Sequence, residues 1–461
     1  MNIETLRAEP SAIRLLERID GASGGASHGG GGDGGHPEMT QRRADGMLAR
    51  IAWSRITEPG DGVAGALISS LGPQAALGLL VQRADISGIR RALEAALDDA
   101  SAVPAERVLA DALERWYPRL NRSETLRDIE GAAAAKLRVV LPGDRAWPDV
   151  LSDLGVHAPN MLWVRGNLDA LGAYSIGVVG ARAATGYGSH VTAELVDGAC
   201  RAGLAVVSGA AYGIDAVAHR TALAAGAVTV AVVAGGADRP YPRAHESLLD
   251  RIAGGDPNDG NANTGGAVCS EMVPGAAPTR WRFLQRNRLI AALSRAILVT
   301  EAGVNSGSLN TAGHASQLGR PIGAVPGPVT SAASAGCHKL IRDYDAALIT
   351  SVREACELAG MDEMLALFMA AGMDDSGNTG DTTEASQAPE PRESAWARRV
   401  CDALPLRGAR GPAAIAKLSG LTPDQVRGVL SELELLGKVR RREREGMGGE
   451  QETQWSLVKS E

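Results

Sequence analysis

The chain has 461 residues, of which 44% are hydrophobic and 3% aromatic, and its formal net charge is −7. This length allows two to four domains, with a core built mostly from Ala, Val, Leu and Ile. The acidic total argues mildly against a nucleic-acid-binding protein, although it is compatible with a local basic groove. The sequence has no apolar run of membrane-spanning length, no signal-peptide core and no CxxC pair among its five cysteines. We therefore expect a cytoplasmic protein in a reducing compartment, with no membrane insertion and no zinc site.

Composition divides the chain into five segments. Glycine dominates 21–36, and 374–393 is polar, acidic and Pro-containing, so neither stretch can bury a core. The helical patterns in the first third favour a bundle that packs on its neighbour over a helix-hairpin-helix (SAM-like) unit, because no basic cluster accompanies them. We predict a disordered Gly-rich segment at 1–39, a helical domain at 40–135, an α/β domain at 136–370, a disordered linker at 371–393 and a small C-terminal domain at 394–461.

Six short apolar runs in the α/β domain alternate with helical patterns. The runs are rich in Val and Ile and do not alternate with polar residues, which is typical of strands buried on both faces. This alternation predicts a doubly wound, Rossmann-like parallel sheet. The predicted strands lie at 175–180, 204–209, 228–235, 266–271, 296–301 and 321–327.

Glycine-rich loops follow the predicted strands, at the sheet edge where such folds bind ligands. Glycine lets a backbone approach a ligand closely, and helix N-terminal amides favour anions, so these loops indicate a phosphate-accepting surface. Four cations fall on the same edge, namely Arg182, Arg286, Arg288 and Lys339. The planar fork of arginine suits phosphate because it can donate two parallel hydrogen bonds.

The stretch WRFLQRNRLIAALSR at 281–295 is predicted to be a helix, because apolar residues from Leu289 onward recur at helical spacing. Arg286 and Arg288 then lie where that helix begins, and the helix dipole disfavours cations there. A phosphate bound among the arginines would relieve this repulsion. Phe283 beside them either stacks on a nucleic-acid base or packs as a staple at the helix entry.

The loops lack the signatures of nucleotide-dependent enzymes, since neither GxGxxG nor GKS/GKT is present. Ser208, Asp215 and His219 are a weak catalytic triad, because two of them lie four residues apart on one helix and Ser208 is on no nucleophile elbow. Glu271 and Glu301 end two strands that we interpret as neighbours. They form either a general acid–base pair or loop anchors that accept amides and pair with arginines. We favour anchoring for both, and assign Asp215 the same role.

The C-terminal segment contains three short helical patterns, then a basic run KVRRRERE and the stretch TQWSLV. Three helices followed by a hairpin predict a winged-helix domain. Thr422 is a good N-cap, with Pro423 at the first helical position. Asp424, Glu432 and Glu434 on that helix disfavour its insertion into a DNA major groove. Two roles therefore remain for this domain: its wing binds a protein, or the domain binds duplex DNA weakly.

Several stretches, in this order, resemble the DNA processing protein A family (DprA, also called Smf). They span about 175–345 and are VVGARAATGYG, SGAAYGIDAVAH, AVVAGGADRPYP, SEMVPG, FLQRNRLIAALS, VTEAGVNSGSLNTAGHASQLGRPIGAVPG and GCHKLIRD. The lead-in WPDVLSDLGVHAPNMLWVRGNLDAL is similar to the segment before the first Rossmann strand of the family. The helical first region and the winged-helix domain fit the family as well.

The resemblance implies a binding protein and not an enzyme, with no cofactor, catalytic residue or metal. Members of the family bind and protect single-stranded DNA, help load the RecA recombinase in natural transformation and recombination, and form homodimers through the Rossmann domain. Their G-S-R motif corresponds to Gly180-Ala181-Arg182, where a serine is replaced, and F-P-x-R-N-R begins at Phe283 with leucine replacing proline. The DNA-binding residues implied are Gly180, Arg182, Ser208, Gly209, Gly213, Phe283, Arg286, Asn287, Arg288, Ser306, Gly307, Ser308 and Lys339.

Two other functions fit parts of the sequence. A nucleotide-cleaving hydrolase related to lysine-decarboxylase-like proteins would carry a catalytic glutamate in P-G-G-x-G-T-x-x-E, but Asn310 lies near that position here. A winged-helix transcription regulator with a sensory Rossmann domain is the other alternative. A preference for a defined duplex over single strands would support it.

Overall fold

The computed structural model forms two units, Met1–Asp374 and Asp375–Glu461. The predicted linker at 371–393 and residues 25–36 of the Gly-rich stretch lie outside the described residues. In the described ranges no single helix is long and apolar enough to cross a membrane. One pair of helices, Gly62–Leu71 and Pro73–Val81, has the length and apolar composition of a membrane span when taken together, but the two are bent by 114°. The structure describes residues 3–9, 11–24, 39–97, 103–254, 265–361, 400–401, 403–405, 409–435, 438–445 and 451–458.

Helices make up the described part of the chain before the first strand. The long helix α3 buries residues on two sides: Met47 and Ile51 face the sheet region, whereas Trp53 packs in the helical region and meets Trp116 edge-on at 5.5 Å between ring centroids. The helical region is therefore packed directly on the α/β domain. The helices are α1 (Ile3–Arg7), α2 (Ala12–Ile19), α3 (Gln41–Ile56), α4 (Gly62–Leu71), α5 (Pro73–Val81), α6 (Ile86–Ala96), α7 (Glu106–Trp116) and α8 (Arg122–Ala134).

The prediction that all of 1–39 is disordered is wrong for its first part. Residues 3–24 contain α1 and α2, and the side chains of Leu6, Leu16 and Ile19 are fully buried in the cluster that joins α3 and α8 to the sheet. Packing of these side chains stabilises two helices that are too short to persist alone.

A nine-stranded sheet forms the centre of the first unit, and its order is β1-β2-β6-β5-β4-β3-β7-β8-β9. All six predicted strands are present, from β3 to β8, and they pair in parallel. The sheet is nevertheless mixed, because β2 pairs antiparallel with both β1 and β6. The strands are β1 (Arg138–Val140), β2 (Leu162–Gly166), β3 (Ser175–Val179), β4 (Ala205–Ser208), β5 (Thr229–Val232), β6 (Ala267–Ser270), β7 (Ala296–Val299), β8 (Ile322–Ala324) and β9 (Ala347–Leu348).

Helices cover both faces of this sheet. Successive strand residues point to opposite faces, so Val178 packs with α9, α10 and α15, whereas Val179 packs with α12, α13 and α14. The Rossmann-like prediction is confirmed by these two helical layers over a mostly parallel sheet. The helices are α9 (Gly186–Arg201), α10 (Ile214–Ala224), α11 (Glu246–Gly254), α12 (Arg280–Leu293), α13 (Ser308–Gln317), α14 (Ala335–Asp343) and α15 (Val352–Leu358).

The second unit contains α16 (Pro412–Ser419) and α17 (Pro423–Leu435), followed by the antiparallel hairpin β10 (Val439–Glu445) and β11 (Gln451–Leu457). A small core holds it together, with Val426 and Leu430 of α17 packed in the same cluster as Trp455 of β11. This arrangement agrees with the predicted winged-helix fold.

Candidate nucleic-acid interface

The order of strands reverses at β3, which pairs with β4 on one side and with β7 on the other. At such a switch point the loops after the two strands diverge and leave a crevice. Here the crevice is an open groove of about 1000 Å³, which we call the switch-point groove. It is lined by the loops after β3 and β7 and by the N-terminal half of α12.

Direct contacts between loop backbones shape this groove. A Cβ at Gly180 would lie 2.5 Å from a side-chain carbon of Ile214 and 2.8 Å from the carbonyl oxygen of Glu301. Gly213 has φ +76°, and a Cβ there would lie 2.2 Å from the carbonyl oxygen of Ala181. Glycine is therefore required at both positions. The loops after β3 and β4 consequently form one packed unit, which the hydrogen bond from Ile214 N to Ala181 O, at 3.2 Å, ties together.

Two of the carboxylates assigned to loop anchoring hold backbone amides. Glu301 accepts hydrogen bonds from the amide and hydroxyl of Thr185, at 2.8 and 2.6 Å. Asp215 accepts from the amides of Gly209 and Ala211, at 3.2 and 3.3 Å. Burial raises the pKa of Asp215, against the opposing effects of nearby arginines and these amides. Each carboxylate therefore fixes the loop after one strand.

Arg286 lies in the wall of the groove with its guanidinium buried. It donates to the carbonyl oxygens of Gly209, at 2.8 Å, and of Val232, and its Nε donates to Asn287 at 3.2 Å. A Cβ at Gly209 would lie 2.4 Å from Arg286 Nη1, so this glycine makes room for the guanidinium. Burial lowers the pKa of Arg286 to about 10, while Asp215 opposes the shift. The group is therefore cationic at neutral pH.

The predicted start of the helix that carries these arginines is wrong. Helix α12 begins at Arg280, where the Thr279 hydroxyl caps it by accepting from the amide of Arg282 at 3.2 Å. Arg286 therefore lies beyond the first turn, and the unfavourable effect of the dipole falls off within that turn. Buried carbonyl acceptors account for the position of Arg286.

Arg288, two residues further along α12, turns away from the groove. Its side chain is 3% exposed and makes a bidentate ion pair with Glu271, at 2.6 and 2.7 Å. It also donates to the carbonyl oxygens of His157, at 3.0 Å, and Gln285, at 3.1 Å. Four of its five N–H donors are thus used within the protein. The strands that end at Glu271 and Glu301 are not neighbours, since β5, β4 and β3 separate them, which excludes a direct acid–base pair.

Asn287 joins α12 to the opposite wall of the groove. Its side-chain amide donates to Asn310 Oδ1 at 3.1 Å and to Gly307 O at 3.4 Å. In the same wall, the hydroxyls of Ser306 and Ser308 are hydrogen-bonded to each other at 2.7 Å. These residues end the loop after β7 and begin α13, so Asn287 sets the width of the groove.

An aromatic pair and two exposed arginines, Arg182 and Arg280, line the mouth of the groove. The rings of Phe283 and Tyr241 lie 5.5 Å apart at 54°. The guanidinium carbons of Arg182 and Arg286 lie 5.0 and 5.8 Å from the centre of the Phe283 ring. Arg182 and Arg280 are exposed lining residues, and neither forms an ion pair with any carboxylate among the described residues. The mouth therefore presents flat apolar faces beside cations that are open to a ligand.

Both units of the chain match known family models. Residues 138–360 match "DNA recombination-mediator protein A", and residues 384–443 match "DprA winged helix domain". The Putative DNA processing protein DprA of Mycobacterium tuberculosis is 41% identical to this chain over 398 residues, which cover 84% of this chain and 91% of that protein. This chain belongs to the DprA/Smf family.

Further comparisons with DprA proteins agree with this assignment. The DNA processing protein DprA of Streptococcus pneumoniae is 40% identical over 208 residues, which cover 45% of this chain and 69% of that protein. The X-ray structure of DprA from the same species matches with a TM-score of 0.52 and 28% identity, and covers 68% of this chain and 96% of that one.

Five residues implied by the DprA resemblance do not line the switch-point groove, namely Ser208, Gly209, Gly213, Arg288 and Lys339. Ser208 is fully buried, and its hydroxyl donates to the carbonyl of Val178 at 2.6 Å. Lys339 lies on α14 with its ammonium 6.0 Å from the ring of Tyr344. Gly209 makes room for the Arg286 guanidinium, Gly213 packs on the carbonyl of Ala181, and Arg288 pairs with Glu271. The conceivable catalytic triad is not formed either, because His219 is buried and its Nδ1 is hydrogen-bonded to the Thr229 hydroxyl at 2.7 Å.

Sequence reasoning missed two groove residues, Tyr241 and Arg280. Tyr241 belongs to the loop ADRPYP, which we noted without singling out its aromatic residue. Arg280 follows Thr279, and a threonine before a helical pattern is an N-cap signal that would have placed the start of α12 correctly. The alignment of Tyr241 with Phe283 depends on contact between the loop after β5 and helix α12, and has no local signal.

Proposed function

We propose that this chain binds single-stranded DNA in the switch-point groove, protects it and helps to load the RecA recombinase onto it. The observation that carries the proposal is the Phe283–Tyr241 pair in the same groove as the exposed cations of Arg182 and Arg280. Proteins that bind single strands combine aromatic faces for stacking with cations for the phosphates. A duplex keeps its bases stacked inside the helix, so this constellation favours an unpaired strand.

We further propose that the protein is a binding protein and not an enzyme. The carboxylates of the loops have structural partners: Glu301 holds Thr185, Asp215 holds two backbone amides, and Glu271 pairs with Arg288. Asn310, near the position of the catalytic glutamate in the hydrolase alternative, is hydrogen-bonded to Asn287. Incubation with nucleoside monophosphates should release no base, and measurable turnover would overturn this part of the proposal.

The binding proposal is tested by fluorescence anisotropy with one labelled oligonucleotide, used as a single strand and as a duplex. We expect tighter binding of the single strand, and we expect Arg182→Ala and Phe283→Ala each to weaken it about tenfold, because stacking and phosphate contacts contribute roughly 1–3 kcal/mol each. Arg201→Ala is the matched control, since Arg201 is exposed at the opposite end of α9 and pairs with Asp197. Equal affinity for both DNA forms, or wild-type binding by both groove variants, would refute the site.

The role with RecA, the homodimer and action in DNA uptake are proposals drawn from family membership. A recombination mediator hands its strand to a recombinase, and that partner is cytoplasmic, so we infer that the protein works there. The test is RecA filament formation on a strand covered by single-strand-binding protein. We expect faster nucleation with the wild-type chain than with Arg182→Ala. Light scattering tests the dimer, and a monomer at micromolar concentration would contradict it.

A further inference from the structure

A second cleft lies on the other side of Arg182. This cleft has a volume of about 530 Å³ and is lined by 11 residues, none of which carries a carboxylate. We call it the Tyr212 cleft, and its lining includes Arg182, Ala183, Tyr212, Ala216 and Arg220. Arg182 belongs to the lining of both the switch-point groove and this cleft. A DNA strand that passes over Arg182 can therefore contact both the groove and the cleft.

Tyr212 presents an aromatic face in this cleft. The residue is 49% exposed, and its ring packs edge-on against buried His245 with 4.8 Å between ring centroids. The imidazole is held in turn by a 3.0 Å hydrogen bond between its Nδ1 and the carbonyl oxygen of Ala210. The tyrosine ring is thus supported from behind and leaves a face open to solvent, which is the arrangement a stacking platform requires.

The backbone before Tyr212 is fixed in an uncommon conformation. Ala210 has φ +53°, a left-handed conformation that costs a residue with a side chain roughly 1 kcal/mol. Asp215 accepts from the amides on both sides of it, those of Gly209 and Ala211, and so holds the turn. Such strain persists where the surroundings determine it, and here it directs Tyr212 into the cleft.

The charge in the cleft suits a polyanion. Arg220 is exposed on α10, one of the elements that form the cleft, and makes no ion pair among the described residues. Together with Arg182 it gives two cations and no acidic side chain in the lining. Small residues such as Ala183 and Ala216 leave the surface between them smooth, so a planar base can approach the tyrosine.

We propose that the Tyr212 cleft is a second nucleotide subsite for the same DNA strand. One base packs at Phe283 and Tyr241 in the switch-point groove, Arg182 holds the phosphate at the crossing, and a neighbouring nucleotide stacks on Tyr212. Arg220 contacts a further phosphate. The inference rests on the proposed function, and it extends the site to a length that the switch-point groove alone does not supply.

Oligothymidylates of graded length, from about 4 to 20 nucleotides, test the subsite. In anisotropy titrations we expect Tyr212→Ala to weaken binding of the long oligonucleotides at least about fivefold, a loss that corresponds to one stacked base. The shortest oligonucleotides that bind fill the switch-point groove alone, and their affinity should not change. Tyr212→Phe keeps the aromatic face and should bind as wild type does. Arg220→Ala should show the same length dependence as Tyr212→Ala, with Arg201→Ala as its control.

Abasic sites give an independent readout. In an oligonucleotide of the minimal high-affinity length, removal of the base bound at Tyr212 should lower affinity in the wild type and have no further effect in Tyr212→Ala. Equal losses at all lengths, or no loss at any length, would overturn the subsite. If Phe283→Ala weakens binding but Tyr212→Ala does not, the proposed function stands and this inference falls. If the wild type does not bind single strands, both fall.

Discussion

Replacement of Arg288 should reduce stability and leave DNA affinity nearly unchanged. The Arg288–Glu271 pair is almost fully buried, with side chains 3% and 10% exposed. Arg288→Met leaves the Glu271 carboxylate buried without its cation, a loss that costs about 3–5 kcal/mol. Since domains are stable by only about 5–15 kcal/mol, the variant should lose a large part of its free energy of unfolding. Urea unfolding monitored by circular dichroism measures this difference.

A double variant distinguishes the structural role of the Arg288–Glu271 ion pair from a role in DNA binding. Arg288→Met with Glu271→Leu removes both charges, and we expect it to regain most of the lost stability because no uncompensated charge remains. At low temperature and without urea, the folded Arg288→Met protein should bind single strands with an affinity within roughly threefold of wild type, a change below 1 kcal/mol. Arg182→Ala should do the reverse and lose affinity at unchanged stability. An Arg288→Met protein of wild-type stability that binds more than tenfold more weakly would refute the reasoning.

Three further predictions follow from the same geometry. Gly209→Ala should destabilise the fold by about 1–3 kcal/mol through overpacking, because its Cβ would lie 2.4 Å from the Arg286 guanidinium. We expect a lower melting temperature and a lower DNA affinity. Gly186→Ala is the control, since no atom lies within 4 Å of its Cβ. Burial lowers the pKa of His219 to about 3, below the unfolded value of about 6.5. Unfolding therefore takes up a proton between these pH values, and stability falls as the pH is lowered through them. His219→Leu should flatten the slope of unfolding free energy against pH, and an unchanged slope would contradict the assignment. In salt titrations, Arg182→Ala should reduce the slope of log affinity against log salt by about 0.7, the share of one phosphate contact on a single strand, and an unchanged slope would exclude that contact.

The sequence predicted the central strands well because their signal is local. The runs that became β3 to β8 are continuous Val- and Ile-rich segments, and burial on both faces demands such composition. Strands β1 and β2 were missed because long-range pairing decides them. Val164 of β2 pairs with Cys269 of β6, more than one hundred residues away, and no nearby residue indicates that partner.

The candidate site was predicted as a set of residues, whereas their orientations required the structure. Arg286 and Arg288 share a motif and a helix, so sequence reasoning gave them one role. Two residues along a helix rotate a side chain by roughly 200°, which places one guanidinium in the groove wall and the other against Glu271. The apolar pattern that located the helix began at Leu289 and carried no information about this rotation.

The overall charge of the chain is a poor guide to this surface. The protein has a net charge of −7, yet among the described residues the switch-point groove is lined by three arginines, Arg182, Arg280 and Arg286, against one carboxylate, that of Asp215. The carboxylates that would neutralise it are held elsewhere, with Glu271 on Arg288 and Glu301 on the loop after β3. Only charges within about one Debye length, near 10 Å, act strongly on a bound strand. A strand in the groove therefore experiences an excess of positive charge, while the acidic remainder of the surface disfavours binding of DNA elsewhere.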